Sequence, residues 1–254
     1  MPVLERNGIA LNYVVAGEGP TILLVHGFAS NIAMNWIGPG WIDALVGAGW
    51  QVVAFDHRGH GESDKPHDPE AYTPPEMVAD AIAILDELEI ERAVWMGYSM
   101  GARVGAFAAI SHPNRVRALV LGGLGTGLVT GLDGSEGIAE GLLAPSIDDV
   151  TEPRPRMFRA FADKTKSDRL ALAACIQTSR ETLSEADVGA IAAPTLVAIG
   201  TRDDLAGSAD GLAAIMPNAT ALDIPNRDHM LAVGDKAFKA GVLNFLNVLE
   251  GNRG

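Results

Sequence analysis

The stretch Ala93-Val94-Trp95-Met96-Gly97-Tyr98-Ser99-Met100-Gly101-Ala102-Arg103-Val104 decides the fold. Its first four residues form the apolar run of a buried parallel strand, and residues 102–110 read as a buried helix. Ser99 stands at the junction, flanked two positions away on each side by glycine. A serine on so sharp a turn takes a strained backbone, and small neighbours let strand and helix approach each other. The turn would lift the hydroxyl clear of the sheet and leave the Met100 N–H at the start of the helix, where partial positive charge favours a developing oxyanion. Residues 97–101 alone also read as a Gly/Ser turn without chemistry, so the rest of the chain has to decide.

Working outward toward the N-terminus, Asn7-Gly8 separates two strand-like runs and predicts a hairpin, because both residues tolerate positive φ. Residues 21–25 form a continuous apolar strand that ends in His26-Gly27-Phe28, and His26 reads as a buried, hydrogen-bonded loop residue rather than a base. A short helix over residues 41–48 stops at Gly49, and residues 51–55 form the next strand. The following segment, Asp56-His57-Arg58-Gly59-His60-Gly61-Glu62-Ser63-Asp64, holds two histidines and several carboxylates. Its glycines favour a tight polar turn in which Asp and Arg tie loops together over a metal site. Thr73-Pro74-Pro75-Glu76 has the pattern of a capping box with proline at the first helical position, opening a helix that runs to about Glu89.

On the C-terminal side, His112-Pro113 ends the helix after Ser99 and residues 116–121 form another buried strand. This alternation of strand and helix predicts a mostly parallel, doubly wound sheet with right-handed crossovers. Regularity breaks at Gly122, where glycines at 122, 123, 125, 127, 131 and 134 interrupt the pattern. Helix-like segments follow at residues 156–162 and 167–183, the second capped by Ser167 with Asp168 in its first turn. Residues 123–190 are therefore expected to form a small helical cap, with residues 1–122 and 191–254 as the core. The core resumes with strands at 195–200 and 219–224 and helices at 208–216 and 235–250.

Two loops follow those last strands, one carrying Asp203 and Asp204 and the other Asp228 and His229. In an open α/β sheet both lie at the carboxyl edge, where the Ser99 turn emerges. A serine hydroxyl becomes nucleophilic when an imidazole takes its proton, and the imidazole needs a carboxylate to fix its tautomer. Ser99, Asp203 and His229 fill those roles in the chain order Ser, Asp, His. The Gly-x-x-Asp spacing favours Asp203, with Asp204 as the alternative acid. Asp228 reads as a loop or helix-cap carboxylate, because it is too close in sequence to orient the His229 ring.

These residues together resemble the α/β-hydrolase superfamily, in its serine-nucleophile, esterase- and lipase-like branch. The resemblance rests on His26-Gly27, the Asp56-x-Arg58-Gly59-x-Gly61-x-Ser63 turn, Gly97-Tyr98-Ser99-Met100-Gly101, Gly200-Thr201-Arg202-Asp203 and His229, and it covers nearly the whole chain. It implies an α/β-hydrolase fold opened by an antiparallel hairpin, and an oxyanion hole made by the Phe28 and Met100 N–H groups. Dehalogenases and epoxide hydrolases of this fold use aspartate at the elbow, so serine disfavours both. The expected reaction is hydrolysis of a small or medium carboxylic ester through an acyl-enzyme on Ser99. Perhydrolase or haloperoxidase-like activity, C–C bond hydrolysis and lactone hydrolysis would use the same residues, and a non-catalytic ligand-binding role is the alternative of a different class. Residues 157, 158, 161, 170, 172 and 176 could wall an acyl pocket, and Arg154, Arg156 and Arg159 form either a carboxylate site or a solvated face.

Composition sets outer limits on partners. The 254 residues carry a net charge of −13, which argues against nucleic-acid and anionic-membrane partners. Cys175 is the only cysteine, so there is no internal disulfide, and its expected role is that of a small buried hydrophobe. No metal or cofactor is called for, and the expected partner is a small-molecule substrate. Residues 1–8 lack a basic-then-apolar signal pattern, which makes a cytoplasmic location the default expectation.

Overall fold

The computed structural model describes residues 2–131 and 137–251; Met1 and Gly134, both included in the sequence reading, lie outside them. Eight strands form one sheet: β1 (Val3–Arg6), β2 (Ile9–Ala16), β3 (Thr21–Val25), β4 (Gln51–Phe55), β5 (Ala93–Tyr98), β6 (Val116–Gly122), β7 (Thr195–Gly200) and β8 (Ala219–Ile224). Their spatial order is β1-β2-β4-β3-β5-β6-β7-β8. The pairs β1·β2 and β2·β4 are antiparallel, and all others are parallel. Asn7 and Gly8 both take positive φ, 50° and 77°, as the hairpin between β1 and β2 requires.

Alternation within the parallel strands builds two cores, one on each face of the sheet. Leu23, Val25 and Trp95 face one side, while Ile22, Leu24, Val94 and Met96 face the other. Burial on both faces explains why these strands are apolar along their middles, with polar residues such as Thr21, Gln51 and Arg117 confined to their first two positions. The edge strand β8 is largely exposed and accordingly carries Thr220 and Asp223.

Helices cover both faces. Those of the core are α1 (Trp41–Gly47), α2 (Pro74–Glu87), α3 (Met100–Ser111), α9 (Ala209–Ile215), α10 (His229–Ala232) and α11 (Lys236–Gly251). Between β6 and β7 run α4 (Gly127–Thr130), α5 (Ile138–Leu143), α6 (Pro153–Thr165), α7 (Arg169–Thr178) and α8 (Glu185–Gly189). Ile138, Leu142, Phe158, Ala162, Leu172 and Ile176 of α5, α6 and α7 pack into a third apolar cluster that also takes in Ala29 from the loop after β3. Buried Arg159 fastens α6 to the end of α5 by donating to the Gly141 and Ala144 carbonyls at 3.2 and 2.6 Å.

Two local expectations need correction. Thr73 is the N-cap of α2, yet its side chain makes no capping hydrogen bond. Proline at the second helical position removes one of the two N–H groups it could reach. The Glu76 carboxylate is drawn instead to Arg6 at 3.0 Å and Arg58 at 3.6 Å. The cap of α7 is Asp168, not Ser167: its Oδ1 accepts from the Leu170 and Ala171 N–H groups at 2.9 and 3.0 Å. The helix ends at Thr178, well short of residue 183.

The polar turn after β4 is a brace, as its glycines suggest. Asp56 accepts from the Ile32 N–H, the Glu62 N–H and the Asn12 side-chain amide at 2.8–3.0 Å. Arg58 forms a bidentate pair with buried Asp80 at 2.6 Å. Gly61 takes φ +49° and has the Asp56 carboxylate 2.2 Å from where a Cβ would stand, so no larger residue fits.

Behind this turn His26, His57 and His60 are all buried, and both ring nitrogens of His57 lack partners among the described residues. Burial first, and neighbouring positive groups second, hold the His57 pKa well below its ordinary value; burial brings His60 down to about 3. Both rings are neutral in the folded chain and titrate near 6.5 in the unfolded chain, so unfolding takes up protons in acid. Their stabilising effect is complete above about pH 6.5 and is lost as pH falls toward the folded values. His57→Leu is expected to make the acid loss of stability shallower by about 1.4 kcal/mol per pH unit below pH 6, read from urea midpoints at pH 7.5 and pH 5.

Candidate active site

The sheet changes winding direction at β3, with β4 on one side and β5 on the other, and the crevice at that point opens at the carboxyl ends of the strands. Ser99 lies there, immediately after β5, with φ 54° and ψ −111°, a strained conformation for a residue with a side chain. The strain persists because the surrounding backbone leaves no alternative. A Cβ on Gly97 would stand 2.2 Å from the Gly101 carbonyl oxygen, and one on Gly101 would stand 1.9 Å from the Val25 carbonyl oxygen. Strand β5, helix α3 and the end of β3 therefore meet in backbone contact, as the glycine spacing indicates.

Three loops bring their side chains together. Ser99 Oγ is 3.0 Å from His229 Nε2, and His229 Nδ1 is 2.8 Å from Asp203 Oδ2. The other Asp203 oxygen accepts from the Leu205 and Ala206 N–H groups at 2.9 and 3.0 Å, and the carboxylate is fully buried. With its carboxylate acceptor on the Nδ1 side, the ring carries its proton on Nδ1 and offers the Nε2 lone pair to the serine hydroxyl. Asp204 points away, 85 % exposed and 3.8 Å from Arg154. Asp228 caps α10 by accepting from the Met230 and Leu231 N–H groups at 3.0 and 2.8 Å. Its backbone is extended, φ −83° and ψ 178°.

The loop after β3 closes the other side. Gly27 lies against the elbow, 3.4 Å from the Ser99 Cβ when measured from its own notional Cβ. Its N–H donates to Asn35 Oδ1 at 3.2 Å. Phe28 follows, its ring edge-on to Phe158 at 5.5 Å and to His60 at 5.9 Å. Ala29 then takes φ 58° to turn the chain back. Met100 opens α3, so its N–H has no acceptor within its own helix. His26 is the structural loop residue its setting implies: Nδ1 faces the Gly27 carbonyl at 2.8 Å and Nε2 accepts from the His57 N–H at 3.0 Å.

Above Ser99 lies a cavity of about 450 Å³. Its walls are mainly apolar: Phe28, Met34, Met157, Phe158, Phe161 and Met230, with Ser99 and His229 on the floor. A small side pocket adjoins it, lined by Phe28, Ser99, Met100, Arg103, Ile176 and Arg180 among others. Of the residues expected to wall an acyl pocket, Met157, Phe158 and Phe161 reach the main cavity and Ile176 the side pocket. Leu172 is instead core, and Leu170 is exposed. Arg156 and Arg159 are turned to backbone carbonyls, Ile147, Val150, Gly141 and Ala144, while Arg154 lines the cavity.

Several contributors escaped the sequence reading. Tyr98 donates its phenolic hydrogen to the His229 carbonyl at 2.5 Å and so holds the backbone of the loop that presents the imidazole. Burial keeps that phenol well above its ordinary pKa and therefore un-ionised. Asn35 supports the Gly27 turn. Arg180 contributes a cation to both cavities. Tyr98 sat within the quoted motif as its variable position; nothing local marked the other two. Cys175 is buried and free, with burial pushing its thiol up to about 12.

A mostly parallel sheet opened by an antiparallel hairpin, with an elbow serine at its switch point, is the α/β-hydrolase architecture. The family model described as alpha/beta hydrolase fold matches residues 20–133, and the chain has that fold. Among curated proteins it is 40% identical over 119 residues to epoxide hydrolase A of Mycobacterium tuberculosis, covering 46% of this chain and 36% of that one. The chain spans about a third of the length of the curated relatives it matches. Among solved structures, a hydrolase from Pseudomonas aeruginosa is 29% identical with a TM-score of 0.75, covering 96% of this chain and 97% of that one. The enol-lactonase of Burkholderia xenovorans is 25% identical with a TM-score of 0.73, covering 97% and 100%. Among the described residues no helix is long and apolar enough to cross a membrane.

Proposed function

We propose that the protein is a serine hydrolase that cleaves a small or medium carboxylic ester through an acyl-enzyme on Ser99. The reading is carried by the continuous run from Ser99 Oγ to His229 Nε2 and from His229 Nδ1 to Asp203, at 3.0 and 2.8 Å, on the floor of an apolar cavity. Ser99 attacks the ester carbonyl as His229 Nε2 takes its proton, and Asp203 stabilises the resulting imidazolium. The carbonyl oxygen becomes an oxyanion received by the Phe28 and Met100 N–H groups. The tetrahedral intermediate collapses, His229 returns the proton to the departing alkoxide, and the alcohol leaves. Water then enters, gives its proton to His229 and attacks the acyl carbon, releasing the carboxylic acid and restoring Ser99.

The curated relatives' names favour epoxide hydrolysis, but their match is confined to 46% of the chain, and position 99 is serine where epoxide opening on this fold relies on a carboxylate nucleophile. A second reading, hydrolysis of a lactone, draws on the likeness to the enol-lactonase over 97% of the chain. A lactone is a cyclic ester, and the same steps open it. The cap formed by residues 123–190 and a cytoplasmic setting belong to the same proposal.

The test is a panel of p-nitrophenyl esters of rising acyl length, given to the wild type and to Ser99→Ala. Turnover of the shorter esters is expected, with a loss of about 10³-fold or more in kcat for Ser99→Ala. Absence of turnover across the panel by the wild type, or equal turnover by the variant, contradicts the proposal.

A further inference from the structure

The cavity above Ser99 has a charge character that ester hydrolysis alone does not call for. In a chain of net charge −13, its lining contains Arg154, Lys164 and Arg180 and, among the described residues, no Asp or Glu. Arg180 is the informative one. It follows α7, lines both the main cavity and the side pocket next to Ser99 and Met100, and is only partly exposed.

Comparable arginines in this region have acceptors. Arg103 donates to the Glu181 and Gly127 carbonyls at 2.6 and 3.1 Å, and Arg159 donates to two carbonyls and to Asp163. Arg180 has no hydrogen-bond acceptor and no carboxylate partner among the described residues. Burial first, and the repulsive charge of Arg103 second, bring it down to about 10, still cationic at neutral pH. Beside it in the side pocket, the Ser179 hydroxyl is buried, lies near the weakly polar Cys175 thiol and has no oxygen or nitrogen partner among the described residues. An enclosed cation without an anion destabilises a fold unless something else supplies the charge. A guanidinium fork with an adjacent hydroxyl donor is suited to a carboxylate, which can accept from both at once.

We propose that Arg180 is a specificity-determining residue that binds a carboxylate of the substrate, so that the preferred ester or lactone carries a free carboxylate in the same molecule as the scissile carbonyl. This rests on the serine-hydrolase reading and narrows its substrate class. Ser179 adds a second donor to the same group. The apolar walls then hold the carbon chain that separates the carboxylate from the reacting carbonyl over Ser99.

The test compares monomethyl glutarate, adipate and pimelate with methyl pentanoate, hexanoate and heptanoate. For at least one chain length the wild type is expected to show a kcat/KM ratio of hemiester to neutral ester of about 10 to 100. In Arg180→Met that ratio is expected to fall to about one through a raised KM for the hemiester, while Arg180→Lys keeps part of it. A wild-type ratio at or below one, or an unchanged ratio in Arg180→Met with or without a lowered melting temperature, overturns the proposal. Failure of the hydrolase reading is separable: Ser99→Ala protein needs no turnover, and calorimetry with hexanoate against hexanamide reads the carboxylate site alone. Hexanoate is expected to bind at least about tenfold more tightly, with the difference gone in Ser99→Ala/Arg180→Met. Equal binding of the two ligands overturns the proposal whatever the esters show.

Discussion

Asp203→Asn is expected to lower kcat for ester hydrolysis by about 10³ to 10⁴-fold with little change in KM. The reason is the tautomer. One Asp203 oxygen is fixed by two backbone donors, Leu205 and Ala206, and an asparagine would keep its carbonyl oxygen there. Its amide nitrogen would then face His229 Nδ1 and donate to it, moving the ring proton to Nε2. The Nε2–H would point at Ser99, and the ring would have no lone pair to take the serine proton. Asp204→Asn, on an exposed side chain whose nearest cation is Arg154 at 3.8 Å, is expected to stay within about twofold of wild type. Steady-state kinetics on the two variants separate the neighbours, and a loss of activity in Asp204→Asn with retention in Asp203→Asn contradicts the assignment.

The second large effect is structural. Gly101→Ala is expected to destabilise the fold by several kcal/mol or to prevent soluble accumulation, because its Cβ would lie 1.9 Å from the Val25 carbonyl oxygen and 2.7 Å from that of His26. Those atoms are backbone, at the end of β3 and the start of the loop that carries Phe28, and cannot turn aside as a side chain can. Helix α3 would have to withdraw, separating the two proposed oxyanion donors. Gly105→Ala is the control on the same helix, since its Cβ would meet only Leu119 at 3.5 Å, an ordinary contact. It is expected to be neutral or stabilising by up to about 1 kcal/mol through helix propensity. Thermal melts of the pair check the contrast, and similar midpoints for both variants contradict the elbow packing.

The core architecture was readable because parallel strands buried on both faces leave long apolar runs, and because the elbow's glycines are spaced by a steric need that few other turns share. Ser99, Asp203 and His229 were readable for a related reason: each follows a strand of the parallel sheet, and strand ends of one sense share one edge. The exit from β8 illustrates the limit. Asp228 reads along the chain as either a loop or a helix-cap carboxylate, and its role as the cap of α10 depends on an extended backbone that the sequence does not display. The helices between β6 and β7 were less legible. Asp168 and Ser167 are both good N-cap residues, and only the direction in which the chain enters α7 selects Asp168. Arg180 was not legible at all. What distinguishes it from Arg156 or Arg159 is that no described residue offers it an acceptor in three dimensions, and no pattern along the chain encodes an absence.

The central claim is that Ser99 is a nucleophile activated by His229. A fluorophosphonate probe followed by peptide mass mapping tests it most directly, because the reagent bonds covalently to a serine only when a base has activated the hydroxyl and the oxyanion pocket receives its oxygen. The account predicts a single adduct on the peptide carrying Ser99, formed by the wild type and lost or strongly slowed in His229→Ala. Absence of any adduct on Ser99 in folded wild-type protein, or equal labelling with and without His229, would contradict it.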